Sequence, residues 1–354
     1  MRLLLAAALA LFALPALAQS AAETVVSRAI NEVIRPGFDL LNENAGALAA
    51  DFERLCAAPS AALLDTAREQ FALTVVAHAG VELFRLGPLL EDNRAERLLF
   101  WPDRKGVALR QVQAILAEHD ETATDPATLR QKSVAVQGLG ALEFVLFGTD
   151  ADLLAGAEGD FRCRFGAAAS GLVAETTGEL LDAWLDPDGI EARLTAPDAA
   201  DPEYRTSREV LEALVGLLAH GVEAVRDQRL LPVLGRDGAA PKPRSALFWR
   251  SGQTMASATA NLQGLDDLLQ YSGLAGLGGD AGRWAGDSIV FEFGNAARAG
   301  ALVGSDMEAA VADEKQLAAL TYLVLVTQSL GALLGEQLPA ALGLSVGFSS
   351  LDGD

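Results

Sequence analysis

The chain is poor in the residues that carry most enzyme chemistry. Its 354 residues include only three histidines and two cysteines. No His-Glu-x-x-His occurs, which excludes the zincin arrangement of two histidines one helical turn apart on a zinc ion. No Gly-x-Ser-x-Gly occurs, so the nucleophile elbow of the α/β-hydrolases is missing. The glycine-rich Gly276-Leu277-Gly278-Gly279 follows no strand-like run; it reads as a joint between helices, not a dinucleotide loop. Strand signals are nearly absent throughout. Basic residues are also scarce: 27 Lys and Arg stand against 48 Asp and Glu, for a formal net charge of −21, or −22 without Arg2. This deficit argues against nucleic acid or anionic membrane surfaces as partners. It is compatible with cation binding, although a solvated acidic surface is the simpler reading.

A long hydrophobic run opens the chain. Arg2, the apolar stretch Leu3 to Leu14 and the small-x-small Ala16-Leu17-Ala18 form a secretory signal peptide, residues 1–18, too short in its apolar part for an ordinary transmembrane helix. The mature protein is expected to start at Gln19 and to lie in the periplasm of a two-membrane host. No cysteine follows the apolar run, so a lipoprotein anchor is not expected, and later apolar stretches are broken by charges or glycines, so no membrane span is expected either. In an oxidising compartment Cys56 and Cys163 can close one disulfide. The alternative is two separate buried thiols; the helix-end setting of both residues favours the disulfide.

What is present is helix. Alanine and leucine are abundant, and apolar residues recur at three- and four-residue spacing. The pattern predicts helices over 38–55, from the cap Ser60 to Leu86, 104–118, from Asp125-Pro126 to about Phe147, and 161–185. Asp186-Pro187-Asp188-Gly189 is a turn. Further helices are predicted over 203–230, 245–271, 283–302 and 307–342. Ala77-His78-Ala79-Gly80-Val81-Glu82 is echoed by Ala219-His220-Gly221-Val222-Glu223, and Phe100-Trp101 by Phe248-Trp249, though the spacings differ. The expected fold is all-α, with two pseudo-repeated up-and-down helical bundles, 19–189 and 190–354, packed around a shared cleft.

The stretch from Val134 to Gly148 is the most informative. It reads as a buried helix with two close-packing glycines, Gly138 and Gly140, and one carboxylate, Glu143, which burial makes costly unless it is paired, protonated or metal-bound. The stretch resembles the Gly-x-His-x-x-Glu signature of the imelysin-like family of bacterial cell-envelope proteins. Gly138 and Glu143 fit its ends, while Gly140 stands where the family's histidine would be. Phe84-Arg85-Leu86-Gly87-Pro88, Phe100-Trp101-Pro102-Asp103-Arg104, Phe248-Trp249-Arg250-Ser251-Gly252 and the closing Leu342 to Asp354 also look like imelysin segments, so the resemblance runs through nearly the whole mature chain.

The resemblance implies two helical bundles, export to the cell envelope and an association with iron uptake, with other iron-uptake envelope proteins as partners. Some members are classed as metallopeptidases, so iron or another divalent metal is the implied cofactor. Candidate metal ligands are Glu82, Glu143 and His78, which lies one turn before Glu82. Trp101, Asp103, Arg104, Gly138, Arg250 and Ser251 are candidate ligand-binding residues, with Arg104 suited to hold Glu143 or Glu82 bidentately. A buried structural ion pair at Glu143, an interhelix staple at Trp101–Arg104 and a solvent-facing His220–Glu223 pair are the competing readings. The missing motif histidine favours a non-catalytic binding or accessory role, by capture of a cation or small ligand. A metallopeptidase and an envelope protein-interaction module are the alternatives.

Overall fold

The computed structural model describes residues 21–103, 105–235 and 239–347, and these are built of helices and turns without a strand. Residues 1–20, which include the expected signal peptide, Arg104, residues 236–238 and the last seven residues lie outside the described residues. The principal helices are α1 (Arg35–Ala57), α2 (Ala61–Val81), α3 (Arg94–Leu98), α4 (Val107–Glu118), α5 (Leu139–Phe147), α6 (Asp160–Leu185), α7 (Ser207–Ala224), α8 (Thr254–Ser272), α9 (Gly279–Gly300) and α10 (Glu314–Ala332). Three π-helical turns extend this set: Ala29–Ile34 leads into α1, Val225–Leu230 continues α7, and Leu333–Gln337 continues α10.

Several predicted helices are shorter than the pattern suggested, each for a local reason. Ser60 accepts the Leu63 N–H and caps α2 as expected, but the helix stops at Val81. The single helix expected from Asp125 to Phe147 is three pieces, Pro126–Leu129, Val134–Val136 and α5. The helix expected from Ser245 starts only at Thr254, because Phe248 (φ 57°) and Gly252 (φ 71°) adopt left-handed backbone that a helix cannot contain.

In the first half α1 packs along both α2 and α6, with Phe38 stacked on Trp184 in the core. Cys56 at the end of α1 is joined by a disulfide to Cys163 in α6. In the second half α8 packs on α7 and α9, and α9 on α10. Residues Glu314–Leu342 are long and apolar enough by length and composition to cross a membrane. Here Leu320, Leu323 and Leu330 of that stretch are buried and it lies against α9 and α7. The halves are not separate bodies: α8 runs along α2, and one continuous hydrophobic core includes residues from both. Gly264 of α8 explains the close crossing, since a Cβ there would sit 2.2 Å from the Gly80 carbonyl oxygen. Phe248 pushes into the first half, meeting Phe71 edge-on with ring centroids 5.9 Å apart.

Candidate functional site

A cavity of about 870 Å³ opens between the 78–102 segment and α7 with its π-helical continuation. That is the size range of pockets that enclose small organic ligands. Its apolar side is made by Leu86, Leu89, Leu99, Trp101, Leu217 and Val225. The most buried part of its polar lining comes from three elements: His78 from α2, Glu82 just after it, Arg229 from the π-helical turn, and Asn261 from α8; Arg85, Glu96, Glu203, Glu209 and Glu212 line it as well.

Each residue arrives for a structural reason. The crossing at Gly80 and Gly264 lets Asn261 Nδ2 donate to Ala79 O at 2.7 Å and to Glu82 Oε1 at 2.8 Å. The turn Val225–Leu230 closes with Leu231 N–H reaching Arg226 O, five residues back, a local widening that often marks functional sites. It delivers Arg229, whose Nη2 donates to both Glu82 oxygens at 2.9 and 3.0 Å, and Gln228, whose carbonyl accepts from Trp101 Nε1 at 3.2 Å.

Burial would push the Glu82 carboxyl up, but the Arg229 charge and the Asn261 amide together hold it below the usual glutamate range. His78 Nδ1 lies 3.8 Å from Glu82 Oε2, too far for a hydrogen bond, and burial outweighs the Glu82 charge to lower its pKa, keeping the ring neutral. The polar wall is therefore a closed ion pair flanked by two uncharged groups. Three of its buried atoms find no hydrogen-bond partner among the described residues: His78 Nδ1, Arg229 Nη1 and Asn261 Oδ1. His220 also lines the cavity and is a third exposed, with Nδ1 3.4 Å from Glu223 Oε2, so this pair is not simply turned to solvent.

Glu143 is placed elsewhere. It is not among the cavity-lining residues. Its Oε1 accepts from the backbone N–H of Arg250, the N–H of Ser251 and the Ser251 hydroxyl, each at 3.0 Å. The Arg250 guanidinium stays 3.9 Å from Oε2, stacked over Trp249 and over Phe144. Burial dominates these donors and raises the Glu143 pKa. Arg162 secures the same helix from below: its guanidinium donates to Phe144 O, Val145 O and Thr149 O, neutralising the carbonyl end of α5. Nothing in the sequence pattern announced that role for Arg162.

The expected site residues thus separate into two groups. His78, Glu82 and Trp101 meet at the cavity, while Glu143, Arg250 and Ser251 form a buried clasp. Asp103 is a helix cap, not a free ligand group: its carboxylate accepts from Val107 N at 2.7 Å and Ala108 N at 2.9 Å. Gly138 is a packing residue, since a Cβ there would meet Leu98 O at 2.3 Å and Arg97 O at 2.4 Å. Gly140 is not close-packed as expected; it is exposed with open space around it, so a side chain would fit there. Arg104 lies outside the described residues.

A metal does not fit the expected ligands as they stand. Glu82 already shares its oxygens with a guanidinium, whose charge opposes a cation at the same place. Glu143 has one oxygen fully engaged by three donors, and the other has the Arg250 guanidinium 3.9 Å away. Among the described residues no three His, Cys, Asp or Glu side chains cluster as a metal site would require.

The sequence pattern that defines the imelysin family, peptidase M75, matches residues 34–333. The chain belongs to the imelysin family. An imelysin-like protein from Psychrobacter arcticum 273-4 shares the fold with a TM-score of 0.76 at 21% identity, over 93% of this chain and 98% of that one. A protein from Parabacteroides distasonis ATCC 8503 named as an iron-regulated protein A precursor aligns with a TM-score of 0.73 at 15% identity, over 90% of this chain and 95% of its own. No curated protein matches.

Proposed function

We propose that this imelysin is a non-catalytic binding component of the cell envelope, exported to the periplasm and working beside iron-uptake proteins, that holds a small organic ligand in the cavity between α2 and α7. The observation that carries the reading is the cavity itself: about 870 Å³, apolar on one side, with the buried Glu82–Arg229 ion pair on the other. A structural core would close such a volume. The relative named iron-regulated protein A precursor supports the link to iron and to export, and the leader at 1–18 agrees with it. The cation-capture version of this role is less well supported, because the polar wall already contains its own cation.

The test is native mass spectrometry of the mature protein, residues 19–354, purified from a periplasmic extract without denaturant. It is compared with Ala213→Trp, which places a large side chain into the cavity from α7. The expected result is a stoichiometric organic adduct on the wild type that is lost in the variant. Saturable binding of Fe(II), Fe(III) or Zn(II) salts near one equivalent, weakened by Glu143→Gln and indifferent to Ala213→Trp, would overturn the reading in favour of a metal site at Glu143.

A further inference from the structure

Helix α9 turns an apolar face to solvent. Leu302, Trp284 and Phe291 are 68%, 64% and 64% exposed, more than any other large apolar side chain among the described residues, and all three stand on α9 or just past its end. Scattered exposed apolar residues are ordinary, but three on one helix mark a contact surface. Their spacing is regular. Trp284, Phe291 and Arg298 recur every seven residues, and Asp287, Gly294 and Ala301 follow each of them by three. That is the spacing of the two seam positions of a coiled coil, yet five of these six residues are exposed and Gly294 is half-buried.

The charges on this face are nearly all spent. Of the five charged residues of α9, Asp280 pairs with Arg283, and Glu292 accepts from Asn295 Nδ2 and from the Ser329 hydroxyl of α10, each at 3.0 Å. Asp287 and Arg298 form no ion pair among the described residues; Arg298 reaches only Asn295 Oδ1, at 2.6 Å. The neighbouring α10 carries no charge between Lys315 and Glu336, and its exposed Tyr322 and Leu325, one and two turns before Ser329, extend the apolar surface beside α9. On the α8 side, next to Gly294, the surface is hollow by about 100 Å³, lined by Leu262, Phe293, Ala297 and Asp266.

We infer that α9 is the interface at which two copies of this imelysin pair, the two helices running antiparallel about a two-fold axis that passes between residues 292 and 293. In that register Phe291 of each copy lies level with Gly294 of the other, Trp284 with Ala301, and Asp287 with Arg298. Each large apolar side chain meets a small residue, the two unspent charges meet each other, and the symmetry makes every contact twice. A parallel pair would set Phe291 against Phe291, Asp287 against Asp287 and Arg298 against Arg298, so size and charge both select the antiparallel one. The formal charge of −22 on each mature copy opposes association at low salt, but at physiological salt it is screened beyond about 8 Å.

Sedimentation velocity of the oxidised mature protein, residues 19–354, at physiological salt and up to about 100 μM tests this. The wild type is expected to be dimeric at the upper end of that range. Phe291→Ser and Gly294→Leu are each expected to weaken association about tenfold or more. Both positions lie on the open face, and a Cβ at Gly294 would approach only the end of the Arg298 side chain, so an unchanged Tm is expected for both variants. Arg298→Asp sets acid against acid and is expected to weaken pairing by a similar factor, and adding Asp287→Arg to it should restore the dimer. A wild type that stays monomeric throughout overturns the inference and leaves the face to a different protein or to a lipid surface. A dimer indifferent to Phe291→Ser and Gly294→Leu also overturns it, by placing the contact on another face. Failure of Asp287→Arg to rescue Arg298→Asp, with both proteins folded, overturns the register.

Discussion

Glu82 and Glu143 are both buried helix-associated carboxylates, yet the protein treats them in opposite ways. Glu82 meets a guanidinium and a side-chain amide, and its pKa falls. Glu143 meets two backbone N–H groups and a hydroxyl, and its pKa rises. Burial is not the difference, since it pushes both upward. What differs is a full charge at hydrogen-bond distance. Arg229 touches Glu82, whereas Arg250 is diverted onto Trp249 and Phe144 and stays 3.9 Å from its carboxylate. A charged partner makes Glu82 a fixed anion in an ion pair. Neutral donors make Glu143 a group that fastens the 245–253 loop to α5 in whichever protonation state the surroundings favour.

The harshest way to break the comparison is to remove the charge. Arg229→Met strands Glu82 as an uncompensated buried anion and should cost about 3–5 kcal/mol in denaturant unfolding. The double change Glu82→Gln, Arg229→Met should recover most of that loss. A single-variant cost below about 1 kcal/mol would mean that solvent already reaches the pair.

Glu143 should respond more gently and more to shape than to charge. Glu143→Leu leaves the Arg250 and Ser251 N–H groups without an acceptor and should cost about 2–3 kcal/mol, whereas Glu143→Gln keeps an acceptor oxygen and should cost about 1 kcal/mol or less. Equal costs for the two would show that the clasp does not depend on those hydrogen bonds.

The finest discrimination is by pH. Glu82 has a lowered folded pKa, so its stabilisation is complete above the ordinary value of 4.5 and is lost as pH falls through the folded value. Glu143 has a raised folded pKa, so its favourable contribution is present below 4.5 and is lost as pH rises through the folded value. Relative to Glu82→Gln, the wild type should lose stability as the solution is acidified through that range; relative to Glu143→Gln, it should gain. Each slope is bounded by about 1.4 kcal/mol per pH unit for one proton. Slopes of the same sign would dissolve the distinction. His78 adds to acid lability on its own, since its lowered pKa means the unfolded chain takes up a proton first as pH drops below 6.5.

The split between what could be read from sequence and what could not follows the same line. Periodicity and caps carried the all-α fold and α2's start at Ser60, because both are local. The resemblance drew attention to Glu143, and the spacing of His78 and Glu82 placed them on one face. The partners were not legible. Arg229 is one of many arginines, and only an i to i+5 turn aims it at Glu82, a choice that side-chain pattern does not encode. Asn261 depends on how closely two helices cross, and the sign of that crossing lay in Gly264, a residue with no motif around it. Asp103 looked like a site acid because Trp101 and Arg104 flank it, yet the first backbone N–H groups of α4 consume it. Gly138 and Gly140 looked alike in sequence and differ completely in surroundings.

The bridge between Cys56 and Cys163 closes a loop of chain 107 residues long. Within that loop lie α2, His78, Glu82, Trp101 and the whole of α5 with Glu143, whereas Arg229, Arg250, Ser251 and Asn261 lie beyond it. In the Glu82–Arg229, Glu82–Asn261 and Glu143–Ser251 contacts, therefore, one partner hangs on a covalent noose and the other is free of it. By loop entropy alone such a closure favours the folded state by about 4–5 kcal/mol. Reduction would slacken the half that carries Glu82 and Glu143 and leave the contacts to the other half tied only by packing. Protein with the bridge reduced is thus a different physical object from the oxidised protein, with the same atoms at the cavity wall and a looser frame behind them.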